Sequence, residues 1–146
     1  MEVSTNFGGS RELALEGSAV STFQVMSNEL STPKILLCPN DTKRQAATNF
    51  SAGFSRTNLS YFIGVDATET NTTMFLSGDR NITNGTTLRG GFLELSTNRL
   101  SGWTSEIHDK NGNIGLADGS VQQLTTIGLR NAVVVTGVAT NRLAMP

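Results

Sequence analysis

The segment 108–124, HDKNGNIGLADGSVQQL, restricts the fold more than any other part of the chain. It carries Asn111-Gly112 and Asp118-Gly119, the two dipeptides that most readily supply the left-handed φ angles of two-residue hairpin turns. Ile114, Leu116 and Val121 lie between or just after them. The pattern predicts a three-strand meander over about 104–124, turning first at Asn111-Gly112 and then at Asp118-Gly119. Folded that way, His108 faces Gly115 and Asp118 faces Ser105.

The 146-residue chain suits one domain, 1–146, with a real core. Thr, Ser and Asn supply 46 residues while charged residues are only 16%, so the surface is solvated by hydroxyls and amides rather than ions. That composition favours strands and turns over long helices. A net charge of -1, with Lys43-Arg44 the only adjacent basic pair, lacks the basic stripe that nucleic acid requires as a partner. The single cysteine, Cys38, has no disulfide partner. No run approaches the ~20 apolar residues of a membrane span. Met1-Glu2-Val3-Ser4 lacks the charged and apolar regions of a signal peptide, which leaves a cytosolic protein or one whose leader or anchor was removed.

Along the chain, Val20, Phe23, Met26 and Leu30 recur at helical spacing after Ser18, a residue suited to cap a helix, and Pro33 closes the segment. The run KILLCP reads as a buried central strand. A helical turn fits within 43–50. Strands are expected at 59–65, from Met74 toward Asp79, and at 92–95, with polar surface loops at 66–73 and 81–89. The tail has a strand-favouring Val133-Val134-Val135, but Ile127, Leu129, Val133 and Val138 keep helix-compatible spacing, and a final helix packed on the sheet is preferred. The fold class is therefore α+β.

His108 with Asp118, and Ser105 or Ser120 nearby, invites a hydrolytic triad. The hairpin register does not set His108 and Asp118 opposite each other, and no G-x-S-x-G elbow or second histidine is available. Both residues read as structural, His108 bonding a neighbouring loop and Asp118 forming a turn. Cys38 reads as a buried packing residue. Asp66, Glu69 and Asp79 do not match a calcium loop and read as solvated acids. Six N-x-[ST] sequons, at Asn40, Asn49, Asn58, Asn71, Asn81 and Asn84, follow from an Asn/Ser/Thr-rich composition. The glycines lack a nucleotide-binding context, and Trp103, Tyr61 and the phenylalanines are assigned to the core. No catalytic, cofactor-binding or metal residue is assigned.

The spacing His108-x9-Asp118-Gly119 resembles the C-terminal H-x9-DG motif of prepilin-like proteins, the type IV pilins and type II secretion pseudopilins prominent in planctomycete and verrucomicrobial bacteria. STNFGGSREL, FQVMSNELSTPKILLCPNDT, NLSYFIGVDA, MFLSGDRNIT and the closing TNRLAMP are similar to segments of the globular heads of that family, so the resemblance covers nearly the whole chain. It implies a pilin-like head: an amphipathic helix on an antiparallel sheet, a C-terminal β-meander and a final helix. It further implies a non-enzymatic filament subunit without a cofactor, whose partners are other pilin or pseudopilin subunits and the inner-membrane secretion or pilus machinery. Its place would be the bacterial periplasm or cell surface. The family's basic leader, peptidase site and long apolar helix with its glutamate have no counterpart in this sequence. The expectation is thus a head domain whose first residues, Met1 included, stand in place of the inner-membrane anchor, and the cleavage and anchoring roles do not transfer. His108, Asp118 and Gly119 carry the family motif in a structural capacity.

Two other classes compete. A cell-surface carbohydrate-binding adhesin module would also be polar and β-rich, but it should expose aromatic side chains. A His- or metal-dependent hydrolase would need His108 and Asp118 in one site.

Overall fold

A computed structural model describes residues 3–146. Met1 and Glu2, on which part of the expectation about a replaced anchor falls, lie outside the described residues. The chain is α+β, with short helices, an antiparallel sheet and one longer helix near the C-terminus.

Ser18 caps a helix as expected, its Oγ accepting the Ser21 amide at 3.2 Å. The expected helix divides into two pieces, α2 (Ala19–Val25) and α3 (Ser27–Leu30), and a further short helix, α1 (Arg11–Leu15), precedes it. Phe23 is buried, and Val20, Met26 and Leu30 pack against the same cluster, so the apolar spacing marked the correct face. The run KILLCP is not a strand. Pro33 opens a 3-10 turn over Pro33–Leu36, with Thr32 Oγ1 accepting the Lys34 amide. Proline fixes φ at the first position of such a turn and has no N–H to give a central strand, which accounts for the correction. Leu36 and Cys38 are still buried. No helix forms in 43–50.

Among the described residues the main sheet comprises β1 (Tyr61–Gly64), β2 (Phe75–Asp79), β4 (Phe92–Leu95), β6 (Asn111–Leu116), β7 (Val121–Thr125) and β8 (Asn141–Ala144). Their spatial order is β4-β8-β1-β2-β6-β7, every neighbour antiparallel. A two-stranded piece joins β3 (Ile82–Thr83) to β5 (Gly102–Trp103). The predicted strands at β1, β2 and β4 are present, whereas β8 was not anticipated as a strand. The 81–89 loop is also corrected in part, since Asn81, Ile82 and Asn84 are buried.

Adjacent residues of one strand point to opposite faces of a sheet. Phe62 and Leu143 accordingly join Trp103, Ile114, Leu129 and Val133 in one core, while Ile63 and Ala144 join Ala14, Phe23 and Leu36 in another. The sheet is thereby sandwiched between α1–α2 on one side and α4 (Thr126–Val135) on the other. The final helix is present as expected; Thr125 caps it by accepting the Gly128 amide.

The meander is half right. Asp118-Gly119 does turn β6 into β7: Asp118 Oδ1 accepts the Ser120 amide at 2.9 Å, and Gly119 has φ +84°. Asn111-Gly112 is not a turn. It begins β6, with Asn111 opposite Thr125 and Gly112 opposite Leu124. The Trp103 indole lies on Gly112 so closely that a Cβ there would come within 2.3 Å of the ring. Glycine is used here for close approach within a strand, not for left-handed φ. The preceding turn falls instead on His108, Asp109 and Lys110, with φ of 54°, 46° and 63°. The other neighbour of β6 is β2, and Gly115 faces Ser77 and Val121 rather than His108.

Gly112→Ala should therefore destabilise the protein by about 1–3 kcal/mol, because the indole must leave its seat. Urea unfolding monitored by tryptophan fluorescence measures this, and an unchanged midpoint would show that the ring yields freely.

Candidate functional site

Three consecutive residues at the end of β2 gather distant segments. Asp79, 1% exposed, accepts the Asn113 amide at 2.6 Å and its Nδ2 at 3.0 Å on Oδ2, fixing the start of β6. Arg80 gives a two-pronged bond to Asp41, from Nε to Oδ2 at 2.6 Å and from Nη2 to Oδ1 at 2.7 Å, and reaches Glu106 through Nη1 at 2.7 Å. Asn81 donates through Nδ2 to the carbonyls of Thr104, Ile107 and Asn111. The 104–111 segment is thus clamped along its length. Asn111 Nδ2 adds bonds to the carbonyls of His108 and Asp109, holding the three left-handed residues in place.

The clamp brings Cys38, Asp79 and His108 together. Cys38 Sγ lies 3.3 Å and Asp79 Oδ2 3.5 Å from the same atom, His108 Nε2. The other ring nitrogen, Nδ1, faces the Asn40 side-chain amide at 3.5 Å. Cys38 and Asp79 are buried, and the His108 side chain is 20% exposed. Each member sits within three residues of the ion network: Cys38 near Asp41, Asp79 next to Arg80, His108 near Glu106. Ser60 Oγ also donates to Asp41 Oδ2 at 2.9 Å.

Charge in this region is unevenly placed. Burial raises the Asp41 carboxyl, but the Arg80 fork, the Ser60 hydroxyl and the Lys43 amide outweigh it and hold Asp41 below the ordinary carboxylate range. Hydrogen bonds from Lys43 and Arg80 lower Glu106 as well. Burial, joined by the nearby carboxylates of Asp79 and Asp41, pushes the Tyr61 phenol up to about 12.

A Cys–His–Asp relay needs the nucleophile on one ring nitrogen and the orienting carboxylate on the other. Here both converge on Nε2, a geometry of convergence rather than relay. His108 bonds a neighbouring loop, at Cys38 and Asn40, as the sequence suggested. Asp118 bonds Ser120 through its exposed turn, and the Ser120 hydroxyl and amide lower its pKa. Between the two runs the whole of β6, six residues at ~3.3 Å each, or roughly 20 Å. The H-x9-DG spacing measures one strand with its flanking turns. It does not define one site.

Other expectations are revised by burial. Asp79 is not a solvated acid, and Asp66 pairs with Arg142 in a fork rather than standing free. Among the described residues, the ligand-type side chains that come within 4.8 Å of one another as a trio are Cys38, Asp79 and His108, and neither Asp66 nor Glu69 belongs to it. The sequons at Asn58, Asn81 and Asn84 are buried, with amides bonded to backbone carbonyls. Separate from the trio, an apolar groove of about 420 Å³ runs between α2 and the sheet, lined by Val3, Phe23, Met26, Ile63 and Leu76, with Glu69 also in its lining. No family model, curated protein or solved structure matches the chain.

The sign of the Asp41 shift sets a pH dependence. A carboxyl with a depressed folded-state pKa stabilises the fold above its unfolded value of about 4 and loses that contribution as pH falls through the folded value. The stability gap between the wild-type protein and Asp41→Asn should be largest near pH 7 and shrink as pH falls below about 4, where the unfolded chain protonates Asp41 first and the folded protein follows at lower pH. Urea midpoints across that range measure it, and a gap independent of pH would contradict the ion-pair assignment.

Proposed function

We propose that this chain is the head of a bacterial filament subunit of the type IV pilin or type II secretion pseudopilin kind, acting by packing rather than by catalysis. The observation that carries the reading is the layout of the motif. His108 and Asp118-Gly119 mark the two ends of the complete strand β6, where each forms a turn. A motif that fixes the length and register of a strand serves a scaffold, and it has no chemistry at its Asp-Gly end. The α+β sandwich accommodates the family's description of a helix on an antiparallel sheet with a final helix.

On this reading the partners are other pilin or pseudopilin heads and the inner-membrane secretion or pilus machinery, in the periplasm or at the cell surface. Surface composition supports it. Ile127, Val134 and Val135 are exposed on α4, and Val121 is exposed on the edge strand β7, giving separate apolar contact points.

A carbohydrate-binding adhesin fits less well, because binding platforms need solvent-facing rings. Trp103 and Phe62, Phe75, Phe23 and Phe54 are buried, and Phe7, 85% exposed, is the single exposed aromatic among the described residues.

Immunogold electron microscopy of the source cells with antibody raised against this chain tests the proposal. Gold should follow filaments or envelope-spanning assemblies. Label confined to the cytoplasm would overturn it, and label on the envelope that soluble glycans displace would favour the adhesin.

A further inference from the structure

We propose that Cys38, Asp79 and His108 form a binding site for one borderline divalent cation of the zinc class, with a solvent molecule completing the coordination. The assignment is independent of the filament reading. It also replaces the sequence-based expectation that the chain has no metal ligand.

Zinc bound to thiolate, imidazole and carboxylate at ordinary lengths in a tetrahedron places its ligand atoms about 3.3–3.6 Å apart. His108 Nε2 stands 3.3 Å from Cys38 Sγ and 3.5 Å from Asp79 Oδ2, so two of the three edges already have that length. The third, Sγ to a carboxylate oxygen, is at most 4.8 Å and has to shorten to that length when the ion binds. A structural interaction between these residues would need only one pair. Convergence of a sulfur and an oxygen on one imidazole nitrogen is instead what a shared ion produces.

The donor set selects the ion. One sulfur and one imidazole nitrogen with a single carboxylate favour zinc-like cations over magnesium and calcium, which take all-oxygen shells. Thiolate and carboxylate together balance a charge of +2. When the ion binds, the Cys38 sulfur forms a bond to it and any thiol proton is released to solvent. His108, 20% exposed, is the most solvent-facing of the three ligands, and a water entering on its side would take the fourth position.

Outer contacts are in place too. The Asn113 amide and Nδ2 fix the Asp79 carboxylate through Oδ2, so the ion either shares that oxygen with them or takes Oδ1. Asn40 faces His108 Nδ1, and exchanging its amide oxygen and nitrogen, a choice set by hydrogen bonding, gives the acceptor that a metal-bound imidazole's Nδ1–H requires. The three ligands come from three segments of the chain, and each is tethered through a near neighbour in the Asp41–Arg80–Glu106 network. Such a site would lock the 104–111 segment to the 37–44 loop.

The test is titration of the reduced, tag-free chain with cobalt(II). One equivalent should bind with a thiolate-to-metal charge-transfer band and the intense visible bands of tetrahedral cobalt, and zinc, but not magnesium, should displace it. Cys38→Ser should abolish the charge-transfer band, and His108→Gln should weaken binding at least tenfold, with Asp118→Asn behaving as wild type. Cobalt-edge X-ray absorption of the wild-type protein needs no variant and should show one sulfur among nitrogen and oxygen neighbours. Absence of the band with one equivalent of cobalt, a band that survives Cys38→Ser, or a first shell without sulfur would each overturn the site.

Discussion

Arg80 is the side chain on which separate parts of the fold converge. Its guanidinium forks onto Asp41 of the 37–44 loop and reaches Glu106 of the 104–111 segment, while its backbone amide donates to the carbonyl of Ser60 just before β1. The Asp41 side chain is fully buried and Arg80 is nearly so. Replacing such a pair with apolar residues is often neutral in energy, whereas removing one partner costs about 3–5 kcal/mol by leaving a buried charge uncompensated. The pair's contribution is therefore specificity: only one placement of the two loops satisfies it. The Lys43–Glu106 pair at the rim is exposed and adds little.

What Arg80 does for the loops, its neighbours do for the backbone. Asp79 anchors β6 from one side, and Asn81 satisfies three carbonyls of a segment too irregular to satisfy them itself. Buried backbone carbonyls need partners, and a side-chain amide is a compact way to supply them. The left-handed turn at 108–110 is costly for residues with a Cβ. It persists because Asn81 and Asn111 bind the carbonyls around it. Its consequence is the direction of the His108 ring, which turns inward toward Cys38 and Asp79 instead of outward along a hairpin.

Features decided by neighbours in sequence were legible before the structure. Ser18 as a cap, the apolar face through Phe23, the strands around Phe62 and Phe75, the helix around Leu129 and the Asp118-Gly119 turn all depend on local spacing or local hydrogen bonds. Features decided by distant residues were not. Gly112 became a strand residue because Trp103 covers it and because β2, far earlier in the chain, pairs with β6. Asp79 lost its place as a solvated acid because Asn113 and His108 close over it. Cys38 and His108 are 70 residues apart, and nothing in either local sequence announces their contact. A weak signal did exist in the run Asp79-Arg80-Asn81 ending a strand, since three consecutive polar residues with long reach can each capture a different segment.

The central physical claim is that the side chains following β2 hold the 104–111 segment, and with it His108, in a conformation the segment would not keep alone. Residue-resolved amide hydrogen exchange of Asn81→Ala against the wild-type protein measures this most directly. The Asn111 amide, which donates to the His108 carbonyl, should lose protection together with its neighbours, while amides pairing β1 with β8 keep theirs. Unchanged protection at Asn111, or an equal loss of protection throughout the sheet, would contradict the account.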